Sequence, residues 1–133
     1  MRTSAFLGRT AAIVFAIFFF AFVPDVFAGS IDNSTRVALQ STLRGYIEGK
    51  TADGRYTFFD ETTGDIQVLK LKKIHPVIFE KNGRFMMCAD FVGQQGQDVL
   101  VDYIVVSGNE GFLVEKEIRG RRPMLMKIFE KVF

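Results

Sequence analysis

The chain predicts an α+β domain in which an N-terminal helix packs on an antiparallel β-meander of about five strands and a short helix closes the C-terminus. Three features of the sequence carry this. Apolar residues recur at helical spacing in one early stretch, with Leu39, Leu43, Tyr46 and Ile47 on a single stripe. From Arg55 to Ile118 the chain is rich in strand formers broken by turn signals. Between two of those runs lies Asn82-Gly83, the dipeptide that supplies the positive φ angles of a two-residue hairpin.

Ahead of this domain, residues 1–28 read as a cleavable secretory signal peptide. Arg2 and Arg9 form a basic start, Ala11–Val23 is an unbroken apolar run, and Val26-Phe27-Ala28 suits a signal peptidase. A membrane-spanning helix needs about 20 apolar residues, more than this run provides, so an uncleaved anchor is the competing reading. No cysteine adjoins the cleavage point, which argues against a lipid anchor. The mature chain, 29–133, then forms a single domain in a secreted or periplasmic compartment. Removing Arg2, Arg9 and Asp25 takes the formal charge from +2 to +1, too little for a surface that seeks nucleic acid. A chain of this size buries enough surface to need no disulfide or metal. Cys88, the single cysteine, excludes an internal disulfide and reads as a small buried hydrophobe. A reactive thiol and an intermolecular disulfide are the alternatives.

Asp32 or Asn33 caps the first helix, which stops at Gly49. Asn33-Ser34-Thr35 matches a glycosylation sequon, relevant only in a eukaryotic host. Arg55–Phe59 and Ile66–Leu71 are strands joined by a turn at Asp60–Asp65, with Lys70, Lys72 and Lys73 facing outward or at an edge. Pro76 marks a bulge or an edge before Val77–Phe79. Arg84–Val92, Val99–Val106 and Phe112–Ile118 complete the meander.

Hairpin counting places side chains. A two-residue loop at Asn82-Gly83 sets Lys81 opposite Arg84, Phe79 opposite Met86, Val77 opposite Cys88 and His75 opposite Asp90. A five-residue loop at Gln94–Asp98 sets Gly93 opposite Val99 and Asp90 opposite Asp102; another at Ser107–Gly111 sets Ile104 opposite Val114 and Asp102 opposite Lys116. The predicted row is therefore His75, Asp90, Asp102, Lys116 on one face. It reads either as a polar pocket floor, where His75 and an aspartate trade protons, or as a hydrogen-bonded ladder across a solvated sheet. A bulge at Pro76 would turn the imidazole to the other face. Phe85, Met87, Ala89, Phe91, Val99, Val101 and Tyr103 mark the opposite, helix-covered face. The polar-row face then needs a second layer or a ligand.

At the C-terminus, Arg119, Arg121 and Arg122 precede Pro123 as a basic, flexible segment. Leu125, Ile128, Phe129 and Val132 fall on one helical face with Lys127, Glu130 and Lys131 on the other. This tail either packs back on the sheet or docks on an anionic membrane surface or a partner protein.

One helix across a curved antiparallel sheet resembles the cystatin-like folds. The inhibitor loop Gln-x-Val-x-Gly of that group has no counterpart, since Gly93-Gln94-Gln95-Gly96 departs from it, so protease inhibition is not implied. Cys88-Ala89-Asp90-Phe91 followed by Val101-Asp102-Tyr103 is also similar to an uncharacterised family of small exported bacterial proteins, which bears on fold alone. The chain lacks a phosphate loop, a calcium loop and a Ser/His/Asp arrangement around Ser41 or Ser107. One histidine and one cysteine do not make an ordinary zinc site, and no cofactor or metal is expected, although His75, Asp90 and Asp102 with waters are a conceivable ligand set. The sequence supports, in order, a small exported non-catalytic binding or interaction module, a small-ligand or enzyme domain around His75, Asp90 and Asp102, and an envelope-associated structural protein. Its partner would be a protein, a small ligand or a membrane surface.

Overall fold

A computed structural model describes residues 30–131. The predicted signal peptide, the expected mature start at Gly29 and Val132 of the tail lie outside the described residues. The helix α1 spans Asn33–Gly49. Asp32 caps it, accepting from the Thr35 N–H at 2.9 Å and the Thr35 hydroxyl at 2.6 Å. Hydrogen bonds from the side chains of Ser34 and Thr35 hold the Asp32 carboxyl well below its usual range.

Eight strands follow, more than the predicted five, because three are only two or three residues long. They are β1 Thr51–Ala52, β2 Arg55–Asp60, β3 Asp65–Ile74, β4 Phe79–Lys81, β5 Arg84–Gly93, β6 Asp98–Gly108, β7 Gly111–Arg119 and, after the helix α2 at Arg122–Ile128, β8 Glu130–Lys131. All pairings are antiparallel. The main path runs β2-β3-β5-β6-β7; β4 and β3 share one side of β5, and β8 pairs outside β4. The sheet curls far enough for side chains of β2 and β7 to meet.

Its inner face carries the main core. Leu39, Leu43 and Ile47 of α1 pack against Tyr56, Phe58, Leu69 and all seven residues assigned to that face from the sequence, Phe85, Met87, Ala89, Phe91, Val99, Val101 and Tyr103. The outer face carries a smaller core of Phe79, Met86, Ile104 and Leu125, with Val77, Val106, Ile118 and Phe129 against it. Thus α2 supplies the second layer that this apolar face requires. It is shorter than predicted: Phe129 is extended, and residues 130–131 pair with β4 instead of continuing the helix. Ile128, expected on the packed side, is exposed for that reason.

The Asn82-Gly83 bend has φ of 51° and 74°, and Lys81↔Arg84 and Phe79↔Met86 pair as counted. Beyond Phe79 the count fails. Residues 75–78 leave the ladder so that Ile78 enters the inner core, fully buried. Ile74 then pairs with Ala89 and Lys73 with Asp90, a shift of two residues. Val77 consequently has no ladder partner opposite Cys88.

Candidate functional site

Two polar clusters stand out, one on each face of the sheet. On the outer face, His75 Nε2 lies 2.8 Å from Asp90 Oδ2 although the two are not ladder partners. Because the detour adds an even number of residues, parity is kept and the imidazole stays on the predicted face. The His75 N–H donates to the Cys88 carbonyl at 2.9 Å, and the Gln40 side chain donates to the His75 carbonyl at 3.1 Å, so both backbone groups of His75 are anchored where the detour begins.

The rest of the predicted row is corrected. The β5–β6 loop closes between Gly93 and Gln97, whose backbone groups bond at 2.8 Å, two residues earlier than the Val99 partner counted for Gly93. Asp102 therefore faces Cys88, and Asp90 faces Leu100. The β6–β7 connection is a two-residue turn in place of a five-residue loop, Gly108 pairing with Gly111, whose φ of 126° suits only glycine. Lys116 faces Ile104, and Asp102 faces Ile118.

The cation that meets Asp102 is Arg122 from α2. Asp102 is 1 % exposed, and its carboxylate accepts a charge-assisted hydrogen bond from the Arg122 guanidinium. Burial pushes the Asp102 carboxyl up, against the opposing pull of Arg122. Burial also raises the Cys88 thiol, which Arg122 contacts as well. A thiol so placed stays protonated and unreactive at neutral pH. Arg122, expected in a basic, flexible segment, opens α2 and ties it to the sheet through Asp102. His75 and Asp90 are each about one-third exposed, and such pairs contribute little. Asp90→Asn is expected to lower stability by under about 1 kcal/mol, measured by urea unfolding. A loss several times larger would show that the pair holds the detour in place. Among the described residues, no three His, Cys, Asp or Glu side chains are placed to hold a metal.

No family model, curated protein or solved structure matches the chain.

The second cluster, on the inner face, was not visible in the sequence. Glu117 accepts hydrogen bonds from the Tyr46 hydroxyl (3.1 Å), the Tyr56 hydroxyl and Lys50. The Tyr103 hydroxyl donates to that of Tyr56 at 3.2 Å. Lys50 Nζ also sits 5.3 Å and 5.1 Å from the ring centroids of Tyr46 and Tyr56. Nearby, Arg119 donates to the Asp60 carboxylate at 3.3 Å and to the side-chain amide oxygen of Gln67. These two sets of contacts bridge β2 and β7, which exchange no ladder hydrogen bonds.

A β-bulge decides which charge joins this network. The register of β7 shifts between Val105↔Val114 and Ile104↔Lys116, leaving Glu115 unpaired. Without that extra residue Lys116 would lie opposite Tyr103. With it, Glu117 takes that place and Lys116 stays on the outer face.

Where β2 and β7 stand apart, a groove of about 970 Å³ opens, lined among others by Tyr46, Phe58, Asp60, Glu117 and Arg119. Phe59, Ile66 and Met124 border it and are 57 %, 70 % and 51 % exposed. Met126 and Ile128, also exposed, lie on the same α2 as Met124. Five of the seven exposed large hydrophobic side chains among the described residues thus gather at the groove or on the helix beside it. Such a concentration on a small domain makes this face the candidate binding surface.

Proposed function

We propose that this chain is a small exported, non-catalytic binding module that takes its ligand in the groove between β2 and β7. One observation carries the reading: the groove joins an apolar rim to a polar floor whose inward acids, Glu117 and Asp60, are already bonded to cations and tyrosines within the protein. A floor satisfied in this way has no group poised for proton transfer, whereas the apolar rim favours association. The enzyme alternative rests on His75, Asp90 and Asp102, and Asp102 is shut in beneath Arg122, out of reach of a substrate.

The helix laid across a curved antiparallel sheet supports a cystatin-like grouping on architecture alone. Export rests on the signal-like residues 1–28. No helix among the described residues is long and apolar enough to cross a membrane. Mass measurement of the chain recovered from an expressing bacterium should give a mature start at Gly29; an intact N-terminus in the membrane fraction would overturn export by cleavage.

A fragment screen read by amide chemical shifts tests the site. Weak binders should perturb residues 57–60 and 115–119, and Phe59→Lys should remove those perturbations without unfolding the protein, because Phe59 is exposed. Binders that gather instead at His75 and Asp90 would contradict the groove and favour the pocket alternative.

A further inference from the structure

We propose that the open seam accepts an extended peptide as an additional strand, antiparallel to both β2 and β7; this rests on the groove being the binding site. The argument begins with strand direction. Each step from β2 through β3, β5 and β6 to β7 is antiparallel. Five strands joined in this way leave the first and last parallel to each other. Direct closure of the curled sheet would therefore need a parallel ladder, the weaker kind, in a sheet that is otherwise antiparallel. One inserted strand running the opposite way completes an all-antiparallel ring.

Both banks of the seam offer backbone for it. β7 pairs only with β6. On β2 the short β1 covers Arg55 and Tyr56, leaving Thr57–Asp60 without a neighbour on that side among the described residues. Open edges of this kind are where strand addition occurs.

The side chains around the seam define the peptide. Its inward positions would face Glu117 and Asp60, both already satisfied by Lys50, the tyrosines and Arg119, so small neutral polar residues fit there. Its outward positions would run between Phe59 and Ile66 on one bank and Met124 on the other, which suits valine or leucine. Lys116 and Arg121 also line the seam, and neither has an ion-pair partner among the described residues. An acidic residue beside them completes the match. The ligand class is thus an extended segment that alternates small polar and aliphatic residues and carries a carboxylate on its outward side.

The test uses a synthetic peptide alternating serine with valine and leucine, with one outward aspartate, added to the mature protein. Binding is read by calorimetry, and amide exchange is followed by NMR. The peptide should protect amides within 57–60 and 115–119. Methylating alternate peptide nitrogens on each edge should weaken binding at least about tenfold, because each blocked edge loses its ladder bonds. Lys116→Glu, an exposed change, should weaken it several-fold. Equal affinity for the methylated and unmethylated peptides, with shifts still confined to the groove, would overturn strand addition and leave the groove as a side-chain site. Capture on phosphatidylglycerol vesicles through the same rim, or dimerisation that protects the same amides without peptide, would likewise overturn the peptide assignment. Failure of both peptide and fragments to perturb the groove would remove the groove reading itself.

Discussion

Replacing Arg122 with alanine is expected to cost about 3 kcal/mol of stability near neutral pH, because it strands the buried Asp102 carboxylate without its cation. The figure sits at the low end for a broken buried pair, since Arg122 is itself about one-third exposed and water can follow the truncation. The effect should depend on pH in a definite direction. The Asp102 carboxyl is raised above its ordinary value in the folded state, so the folded protein holds that proton over a range where the unfolded chain has released it. Stability contributed by the protonated acid is therefore present at low pH and is lost as pH rises through that range. Without Arg122 the acid is pushed higher still. The deficit of the variant should be greatest near neutrality and shrink as pH falls into the ordinary carboxylate range, where the acid regains its proton. Urea unfolding at the two pH values measures this. A deficit that is constant with pH would mean that Arg122 acts through packing of α2 and not through Asp102.

The second large effect concerns the tyrosines. All three in the chain, Tyr46, Tyr56 and Tyr103, converge on the Glu117 network, and the absence of tryptophan leaves their absorbance unobscured. Burial, together with the Glu117 charge, pushes the Tyr46 phenol up to about 12. Burial also raises Tyr56 and Tyr103, further than Tyr46. A folded protein that keeps these protons where the unfolded chain gives them up must lose stability as pH climbs above about 10. An ultraviolet titration should therefore show no ordinary tyrosine step near pH 10 in the folded protein. Ionisation should come later and together with loss of structure. Glu117→Gln removes the charge while keeping an acceptor and should move Tyr46 back toward its ordinary value. A normal step in the unmodified protein would mean that at least one hydroxyl is free in solution.

Much of the architecture was legible because it follows from short-range rules. The Leu39, Leu43 and Ile47 stripe, the Asp32 cap and the Asn82-Gly83 hairpin depend on residues close together in the chain, and each formed where patterning placed it. The two faces of β5 and β6 were also assigned correctly, since alternation survives any register error of an even number of residues. What could not be counted was the loops. The His75–Ile78 detour and the early closure at Gly93 each shift pairing by two, so the row dissolves while its members keep to one face. The Glu115 bulge changes parity and decides that Glu117, not Lys116, enters the inner network. No local pattern announces such a bulge. The groove was equally hidden, because it arises from the curl that brings β2 and β7 together from distant parts of the chain.

An unfilled seam in a curled sheet has a direct consequence in the free protein. Hydrogen exchange followed amide by amide should find slow exchange along β5 and β6, which are paired on both sides, and fast exchange for the outward-directed amides of Thr57–Asp60 and Glu115–Arg119. That contrast is what an open binding seam requires. Protection of those seam amides equal to that of β6 would show that β2 and β7 are already closed upon each other or upon another part of the chain, and the groove would then have no room for a ligand.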